Sequence, residues 1–407
     1  MNVKTKLIAA VTVAALGYFV DIYDLLLFSI VRVASLQDLG LSGQQLTNTG
    51  ILLLDIQMAG MLIGGIAWGI LGDKKGRLSV LFGSILMYSI ANVANGFVTS
   101  VTQYAIWRFI AGLGLAGELG AGITLVAELM PREKRGFATT LVASVGISGA
   151  VVAYLVSDFF HWRTSFFIGG GLGLALLLLR IGVAESGMFD HAKKTVGNRG
   201  DFFGLFRSRK NLLKYLRCIL IGMPLWYVVG ILVTLSPEFG RLLGVRGDIS
   251  GGQAIAWCYG GMTLGDIASG LLSQALRSRL KVVYTFLGIA VASIGIYFFL
   301  TPQSLGAFYL LCGLLGFSVG YWVIFMTIAT EQFGTNIRAT VTTTAPNFAR
   351  GALVPSTILF HLVTQWTGSM VTGGLTVGVL LLALAFWATL GMKETFHKDL
   401  DYVEELN

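Results

Sequence analysis

Long apolar stretches recur along almost the whole chain, separated by short polar segments. A helix needs about 20 apolar residues to cross the core of a bilayer, and these stretches are long enough. None shows the alternation over about ten residues that is typical of a barrel strand. We read twelve spans, at roughly 6–34, 46–71, 78–98, 102–129, 137–159, 163–184, 212–236, 250–276, 280–300, 304–330, 337–365 and 368–391. The pattern predicts an all-α polytopic membrane protein.

The composition agrees with this reading. Hydrophobic residues make up 55% of the chain and charged residues 12%, about half the charged fraction of a soluble domain. The mean hydropathy is +0.76. The net charge of +8 comes from short loops between spans, so we expect no nucleic-acid partner. The three cysteines are scattered through apolar spans, which argues against a disulfide framework or a zinc site.

The longest polar interruption lies at 185–211 and divides the spans six and six. We therefore predict an N-terminal six-helix bundle at 1–184, a linker at 185–211, a C-terminal bundle at 212–392 and a tail at 393–407.

Loop charge predicts the orientation. Alternate loops are basic, whereas the loops between them carry no Lys or Arg near 99–101, 301–303 and 366–369. Cytoplasmic loops carry the excess of Lys and Arg, so we expect both termini and the linker to be cytoplasmic, in a cell (inner) membrane. Arg241 and Arg246 are exceptions, partly balanced by nearby acids. The basic loops lie at 72–77, 130–136, 185–211 and 277–281.

Two pairs of segments indicate an internal repeat. The segment Gly64–Asp73 aligns with Gly265–Gln274, and Glu128–Arg135 aligns with Glu331–Arg338 at nearly the same shift along the chain. Matching anchors at nearly equal spacing predict two halves in parallel repetition, related by an axis along the membrane normal.

The segment Gly69–Arg77 resembles the loop signature of the major facilitator superfamily. Arg108–Glu118 and the loop at 131–136 are similar to the fourth helix and exit loop of sugar porters and metabolite:proton symporters. Asp21-Ile-Tyr-Asp24 is similar to the first-helix motif of aromatic-acid:proton symporters. The resemblance covers essentially the whole chain and implies a secondary transporter of the major facilitator fold.

Acidic side chains inside spans are costly and are usually paired or functional. Asp21 and Asp24 lie within roughly 60° of one face of span one, because they are three residues apart on a helix. The resemblance implies that Asp24 and Arg108 form a pair that couples protons to substrate. A static salt bridge is the alternative. Glu118 and Asp55 are each either a second proton site or a hydrogen-bonded structural acid.

Arg350 is a cation inside span eleven, and such a cation needs an anion. That anion is either a protein carboxylate, for which Asp266 is the nearest candidate by type, or the substrate. Pro346 and Pro355 predict a local break in the same span, which is tolerated where a helix lines a cavity.

Aromatic and amide side chains suit a cavity for a small polar molecule, although many Trp and Tyr residues in membrane proteins are packing or interface anchors. The candidates for the cavity are Gln57, Trp226, Tyr227, Gln253, Trp257, Tyr321, Trp322 and Asn347.

The charged turn and its equivalents predict a conformational latch between helix ends on the cytoplasmic face, which would have to open during the transport cycle. The glycines permit the tight turn, and the acids and bases pair across the face. The latch residues are Gly69, Gly72, Asp73, Gly76, Arg77, Glu128 and Arg135, with Glu331 and Arg338 in the second half.

We expect a proton-coupled symporter of a small organic solute, a carboxylate in preference, working by alternating access. A sugar or polyol symporter is the rival, and an exporter, an antiporter or a sensor on the same scaffold is less favoured. No metalloprotease or nucleophile-elbow motif supports an enzyme. The expected partners are the solute, protons and the bilayer. We expect a monomer that uses the proton gradient and no cofactor.

Overall fold

The computed structural model describes residues 3–75, 77–118, 120, 122, 141–142, 145–184, 204–334 and 337–396. These residues fold into helices and short connections, and no strand occurs among them. The helices are α1 Val3–Asp38, α2 Gly43–Lys75, α3 Arg77–Asn95, α4 Val101–Leu115, α5 Gly149–Phe159, α6 Trp162–Ala184, α7 Gly204–Arg207, α8 Arg209–Tyr227, α9 Ser236–Leu242, α10 Gly251–Leu276, α11 Leu280–Phe299, α12 Leu305–Ser318, α13 Trp322–Glu331, α14 Arg338–Gly351, α15 Leu353–Thr367 and α16 Met370–Leu390.

The helices confirm the predicted class. In the described part of the chain, seven helical segments are long and apolar enough to cross a membrane, and Ser79–Asn95 and Val145–Phe159 are shorter apolar helices. The protein is therefore an all-α membrane protein with many spans. The predicted domain boundaries stay predictions, since 185–203 lies outside the described residues.

The repeat seen in the sequence is also a repeat of packing. A Cβ on Gly64 of α2 would collide with the carbonyl oxygen of Leu113, and one on Gly265 of α10 would come 2.5 Å from the carbonyl oxygen of Phe317. One turn earlier, Gly261 meets the carbonyl of Gly313 in the same manner. Small residues let two backbones approach closely in a membrane. The pairs α2–α4 and α10–α12 are thus built alike.

The two halves meet along two lines of helices. α2 packs against α14 and α15, and α10 packs against α1 and α5. We call the end where α1 begins and α16 ends the terminal end of the bundle. At the opposite end, Arg32 of α1 donates to Glu238 of α9 over 2.7 Å, and the Thr47 hydroxyl donates to the same carboxylate over 3.2 Å. Polar contacts therefore join the halves at this end.

Three spans of the C-terminal half are interrupted. Pro224 lies inside α8, which continues as a π-helix over Val228–Val233. Three residues separate the end of α12 from the start of α13, and α14 gives way to α15 at Ala352. The last break lies between the two prolines that predicted it. Breaks of this kind are tolerated where they are buried in protein or line a cavity, and π-helical turns occur often at functional sites.

The predicted latch is only partly within the described residues. Glu331 pairs with Arg279 at 3.3 Å and accepts the Thr395 hydroxyl at 2.7 Å, so it ties its own half to the start of the tail. Gly69 lies against Thr344 of the other half. The side chains of Gly72, Asp73, Arg77 and Arg338, and the residues Gly76, Glu128 and Arg135, lie outside the described part. The latch stays a prediction.

Neighbouring glycines of α10 offer a test of the packing. Gly261→Ala should lower the thermal midpoint, because its Cβ would strike the backbone of Gly313, and overpacking costs about 1–3 kcal/mol. Gly260→Ala is the matched control, since nothing lies within 4 Å of its Cβ. It should leave the midpoint unchanged or raise it slightly, because Ala is the better helix former. Thermal unfolding of the purified protein in detergent measures both, and equal midpoints would contradict the close approach.

Candidate functional site

Arg350 lies at the centre of the interface between the halves. It is 1% exposed, in the last turn of α14, where the partial negative charge of the helix end favours a cation. Its Nη2 atom is 3.9 Å from Oδ2 of Asp21, which is fully buried in α1. A buried cation of the C-terminal half thus pairs with a buried acid of the N-terminal half.

Two tryptophans flank the guanidinium of Arg350. Its central carbon lies 5.4 Å from the ring centroid of Trp226 and 5.9 Å from that of Trp322. The two rings meet edge to face, with centroids 6.2 Å apart. Cation–π contacts of this kind stabilise a desolvated guanidinium by up to about 2 kcal/mol. Trp226 lies just before the π-helix, and Trp322 is the first residue of α13. Both rings are therefore positioned by backbone that lies next to an interruption of a helix.

The ion pair leaves its hydrogen-bonding groups unused. Within the described residues, neither oxygen of Asp21 and none of the three nitrogens of Arg350 has a hydrogen-bond partner. Buried donors of this kind are costly unless they find acceptors. The N–H donors of the Arg350 guanidinium are therefore not satisfied by hydrogen bonds to the described residues. Tyr18 and Tyr259, which the sequence analysis did not select, interact electrostatically with the same guanidinium.

Asp266 is not the partner of Arg350, so that expectation is wrong. Its Oδ1 atom accepts the backbone N–H of Val323 at 3.1 Å, in the first turn of α13. A carboxylate is stabilised there by the free N–H groups and the partial positive charge of the helix end. Asp21, from the other half, takes the place that the sequence analysis gave to Asp266.

Arg108 is held mainly by neutral groups. Its Nη1 atom donates to Gln57 over 3.3 Å and its Nη2 atom donates to Asn92 over 3.1 Å. The guanidinium carbon also lies 5.0 Å from the ring centroid of Phe166. No ion pair within 4.0 Å joins Arg108 to Asp24 among the residues that the structure describes. The expected direct pair is not formed, and Arg108 acts on Asp24 electrostatically across a gap.

Glu118 forms a buried ion pair with Arg180 of α6. Arg180 Nη1 donates to one carboxylate oxygen over 3.0 Å, and Nη2 donates to the other. A Cβ on Gly17 of α1 would collide with both side chains, so this glycine makes room for the pair. Arg180 was not among the predicted site residues. Its signal was present, because it is a basic residue inside a predicted span and such a residue needs a partner.

Asp55 and Asn347 both bridge the halves. Asp55 of α2 accepts the Thr357 hydroxyl of α15 through both oxygens, at 2.8 and 2.7 Å. Asn347 of α14 donates to the carbonyl of Ala116 over 2.8 Å and packs against Gly65. These contacts stabilise the arrangement of the halves described here and have to change if the halves rock.

The other cavity candidates occupy several environments. Gln57 donates to the carbonyl of Leu25 over 3.3 Å, inside the N-terminal half. The hydroxyls of Tyr227 and Tyr321 donate to the carbonyls of Gly374 and Ile221, at 2.7 and 2.8 Å. These tyrosines therefore join helices of the C-terminal half. Of the eight candidates, Asn347 contacts the other half directly, and Trp226 and Trp322 lie beside Arg350.

Trp257 and Gln253 lie away from Arg350. Trp257 is 42% exposed and shares a surface stripe of α10 with Leu264 and Leu271, which are 63% and 68% exposed. A stripe of exposed apolar side chains is typical of a helix face turned to lipid, and the cavity role of Trp257 stays a prediction. Gln253 lies in the first turn of α10, where its N–H donates to the capping Ser250 hydroxyl.

A cleft of about 500 Å³ opens at the end of the bundle opposite the terminal end. It lies between α1 and α5 of one half and the start of α10 of the other. Asp38, Asp158 and His161 are among its polar lining residues, whereas Asp21 and Arg350 do not line it.

The family model, the relatives and the solved structure that match this chain are all of transporters. The family model of the Major Facilitator Superfamily matches residues 14–352. The putative niacin/nicotinamide transporter NiaP of Bacillus subtilis is 28% identical over 417 residues, covering 96% of each chain. The cis,cis-muconate transport protein of Acinetobacter baylyi is 26% identical over 96% of this chain and 94% of its own. The solved proton:xylose symporter XylE, bound to 6-bromo-6-deoxy-D-glucose, shares the fold, with a TM-score of 0.73 and 19% identity over 98% of both chains.

Breaking the Glu118–Arg180 pair should be costly. Glu118→Gln leaves a buried guanidinium without its counter-charge, which destabilises by about 3–5 kcal/mol, and the thermal midpoint should fall. Asp38→Asn is the matched control, because Asp38 pairs with Arg163 where both side chains are partly exposed, and such pairs contribute about 0–1 kcal/mol. The double variant Glu118→Gln with Arg180→Gln should recover part of the loss. A single variant as stable as the control would contradict the buried pair.

Proposed function

The chain belongs to the Major Facilitator Superfamily, and on that premise we propose that it is a proton-coupled symporter of a small organic carboxylate. Its family and relatives are transporters, not enzymes, so the protein is a multi-pass membrane transporter. The proposal concerns the solute, the coupling ion and the mechanism. The observation that carries it is the Arg350 guanidinium, buried between two tryptophans and paired only with Asp21 among the described residues.

A carboxylate fits the surroundings of Arg350. The planar guanidinium presents parallel N–H donors that match the two oxygens of a carboxylate. Trp226 and Trp322 offer flat apolar faces beside that fork, on which a ring or a conjugated chain can pack. The names of the two relatives, for niacin/nicotinamide and for cis,cis-muconate, are in keeping with such a solute.

A sugar or polyol fits less well. Its hydroxyl groups carry no charge, so protonation of Asp21 would leave the buried Arg350 without a counter-ion, at a cost of several kcal/mol. We therefore favour an anionic solute.

Proton coupling follows from competition for Arg350. In the arrangement described here Asp21 is the counter-charge of the cation. A proton on Asp21 removes that charge and releases the fork for the solute, so that proton and carboxylate enter together. Binding of either therefore favours binding of the other, with the same coupling free energy in both directions. Asp24 and Glu118 are further acids of the N-terminal half through which the proton passes.

Alternating access requires the contacts at the two ends to open in turn. At the end opposite the terminal end these are the bonds of Glu238 to Arg32 and Thr47, and near the centre that of Asp55 to Thr357. We place both termini in the cytoplasm from the loop charges, with the proton gradient as energy source, no cofactor and a single chain as the working unit.

The solute class can be tested by ligand-induced stabilisation, since only a ligand that binds the folded state raises the thermal midpoint. Nicotinate should raise it, whereas nicotinamide, which has the same ring without the charge, should have little effect. Arg350→Lys should weaken nicotinate binding at least about tenfold, because a point charge cannot reproduce the fork. Arg163→Lys, at the partly exposed pair with Asp38, is the matched control. Equal stabilisation by nicotinamide or xylose would overturn the carboxylate assignment.

The coupling can be tested at Asp21. Because the carboxylate binds the form in which Asp21 carries a proton, its apparent affinity should fall as the pH rises, by up to about tenfold per unit for one linked proton. Asp21→Asn should bind nicotinate independently of pH and retain counterflow exchange, yet should not accumulate solute under a pH gradient in proteoliposomes. Asp38→Asn should behave as the wild type. Accumulation by the Asp21 variant would contradict the coupling role.

A further inference from the structure

A row of buried polar side chains runs through the N-terminal half. It contains more polar and charged groups than binding of a carboxylate requires. On α1, Gly17, Asp21 and Asp24 follow one another at spacings of one turn and nearly one turn, so they share a face. Glu118 and Arg180 meet beside Gly17, towards the terminal end of the bundle. Asp24, at the other end of this face, lies against Gly169 of α6.

Tyr88 of α3 lies at a height between Asp24 and the Glu118–Arg180 pair. Its backbone touches Gly114 of α4, one turn before Glu118, and its ring edge lies against Gly173 of α6. Gly173 is itself one turn beyond Gly169, where Asp24 packs, and on the way to Arg180. Glycines on both neighbouring helices therefore make room for this side chain.

The Tyr88 hydroxyl lies in the same buried region as several charged side chains, and it forms no hydrogen bond with any described residue. It interacts electrostatically with Glu118, Asp24, Arg180 and Asp21. The residue is fully buried, and its oxygen has no hydrogen-bond partner within the part of the chain that the structure describes. One turn further along α3, Asn92 accepts a hydrogen bond from Arg108. A further charged side chain is therefore bonded to the helix that carries Tyr88.

Packing alone does not account for a tyrosine here. A buried hydroxyl without a partner costs free energy that a phenylalanine of nearly the same shape would avoid. Tyrosine can both donate and accept a hydrogen bond, and this is the chemistry that proton transfer between two carboxyl groups requires.

We propose that Tyr88 is the proton relay between Asp24 and the Glu118–Arg180 pair, which deepens the proton-coupled function proposed above and rests on it. The carboxylic O–H bond of Asp24 breaks and its proton passes to the Tyr88 oxygen, while the Tyr88 O–H bond breaks and its proton passes to a Glu118 oxygen. Asp24 becomes a carboxylate, Glu118 an acid, and Tyr88 is neutral before and after. Loss of the Glu118 proton to water at the terminal end restores the ion pair with Arg180, so no co-reactant is needed.

Tyr88→Phe tests the relay, because it removes only the hydroxyl. Wild type and variant are reconstituted in proteoliposomes, with labelled nicotinate, gentisate and cis,cis-muconate as probes. The variant should accumulate solute under a pH gradient about a hundredfold more slowly, the size of effect that a positioned proton-transfer group has. Counterflow, which needs no net proton movement, should stay within about twofold of the wild type. The thermal midpoint should be unchanged or higher.

Tyr23→Phe is the matched control. Tyr23 is fully buried beside Asp24 in the same half, but its hydroxyl donates to the carbonyl of Ser165 over 3.0 Å, so it is bonded where the Tyr88 hydroxyl is not. This variant should unfold at a lower temperature and accumulate solute at the wild-type rate per folded molecule.

Two outcomes separate the relay from the function on which it rests. Wild-type accumulation by the Tyr88 variant, with a normal midpoint, would overturn the relay and leave proton-coupled symport intact. A wild-type protein that accumulates none of the three probes under a pH gradient would overturn the proposed function and the relay together. An equal slowing of accumulation and counterflow would show that Tyr88 acts on the conformational change, and would also overturn the relay.

Discussion

The structure depends on one constraint: a guanidinium buried at the middle of a membrane protein needs a counter-charge. Arg350 finds it 3.9 Å away in Asp21, which belongs to the other half of the chain. Both side chains are almost completely removed from solvent, and isolated charges are very costly in such surroundings. The interface between the halves is thus held at its centre by a pair that is neutral overall, and each member also has another possible counterpart: a proton for Asp21 and an anion for Arg350.

The two halves share a packing scheme but carry different chemistry. The glycine contacts of α2 with α4 recur in α10 with α12, so each half holds its second and fourth spans close together. The N-terminal half then supplies the buried acids around Arg108 and Arg180. The C-terminal half supplies Arg350, two tryptophans and the interrupted helices that place them. A repeated scaffold thus separates groups suited to protons from groups suited to a solute.

Much of this was predictable from the sequence, and the errors have a common origin. Hydropathy gave the spans, aligned glycines gave the repeat, and the cost of charge in a membrane singled out Asp21 and Arg350. Partners were harder, because pairing depends on how each helix is rotated about its axis. Asp266 matches Arg350 by type, yet it faces the start of α13. Trp257 suits a cavity by chemistry, yet it shares a stripe of exposed apolar side chains with Leu264 and Leu271. Arg180 and Arg32, both basic residues inside predicted spans, were visible in the sequence and overlooked.

On the proposed function, the position of the pair across the interface also limits proton leakage. With neither ligand bound, the Asp21–Arg350 pair is neutral overall and the halves close around it. With a proton alone, Arg350 keeps its charge without a partner, so closure is penalised by the cost of burying a lone cation. With proton and carboxylate together, the site is neutral again and closure is restored. The reorientation that moves a proton is therefore available mainly to a carrier that also holds its solute, and this selectivity needs no separate gate, since it follows from the electrostatics of one arginine.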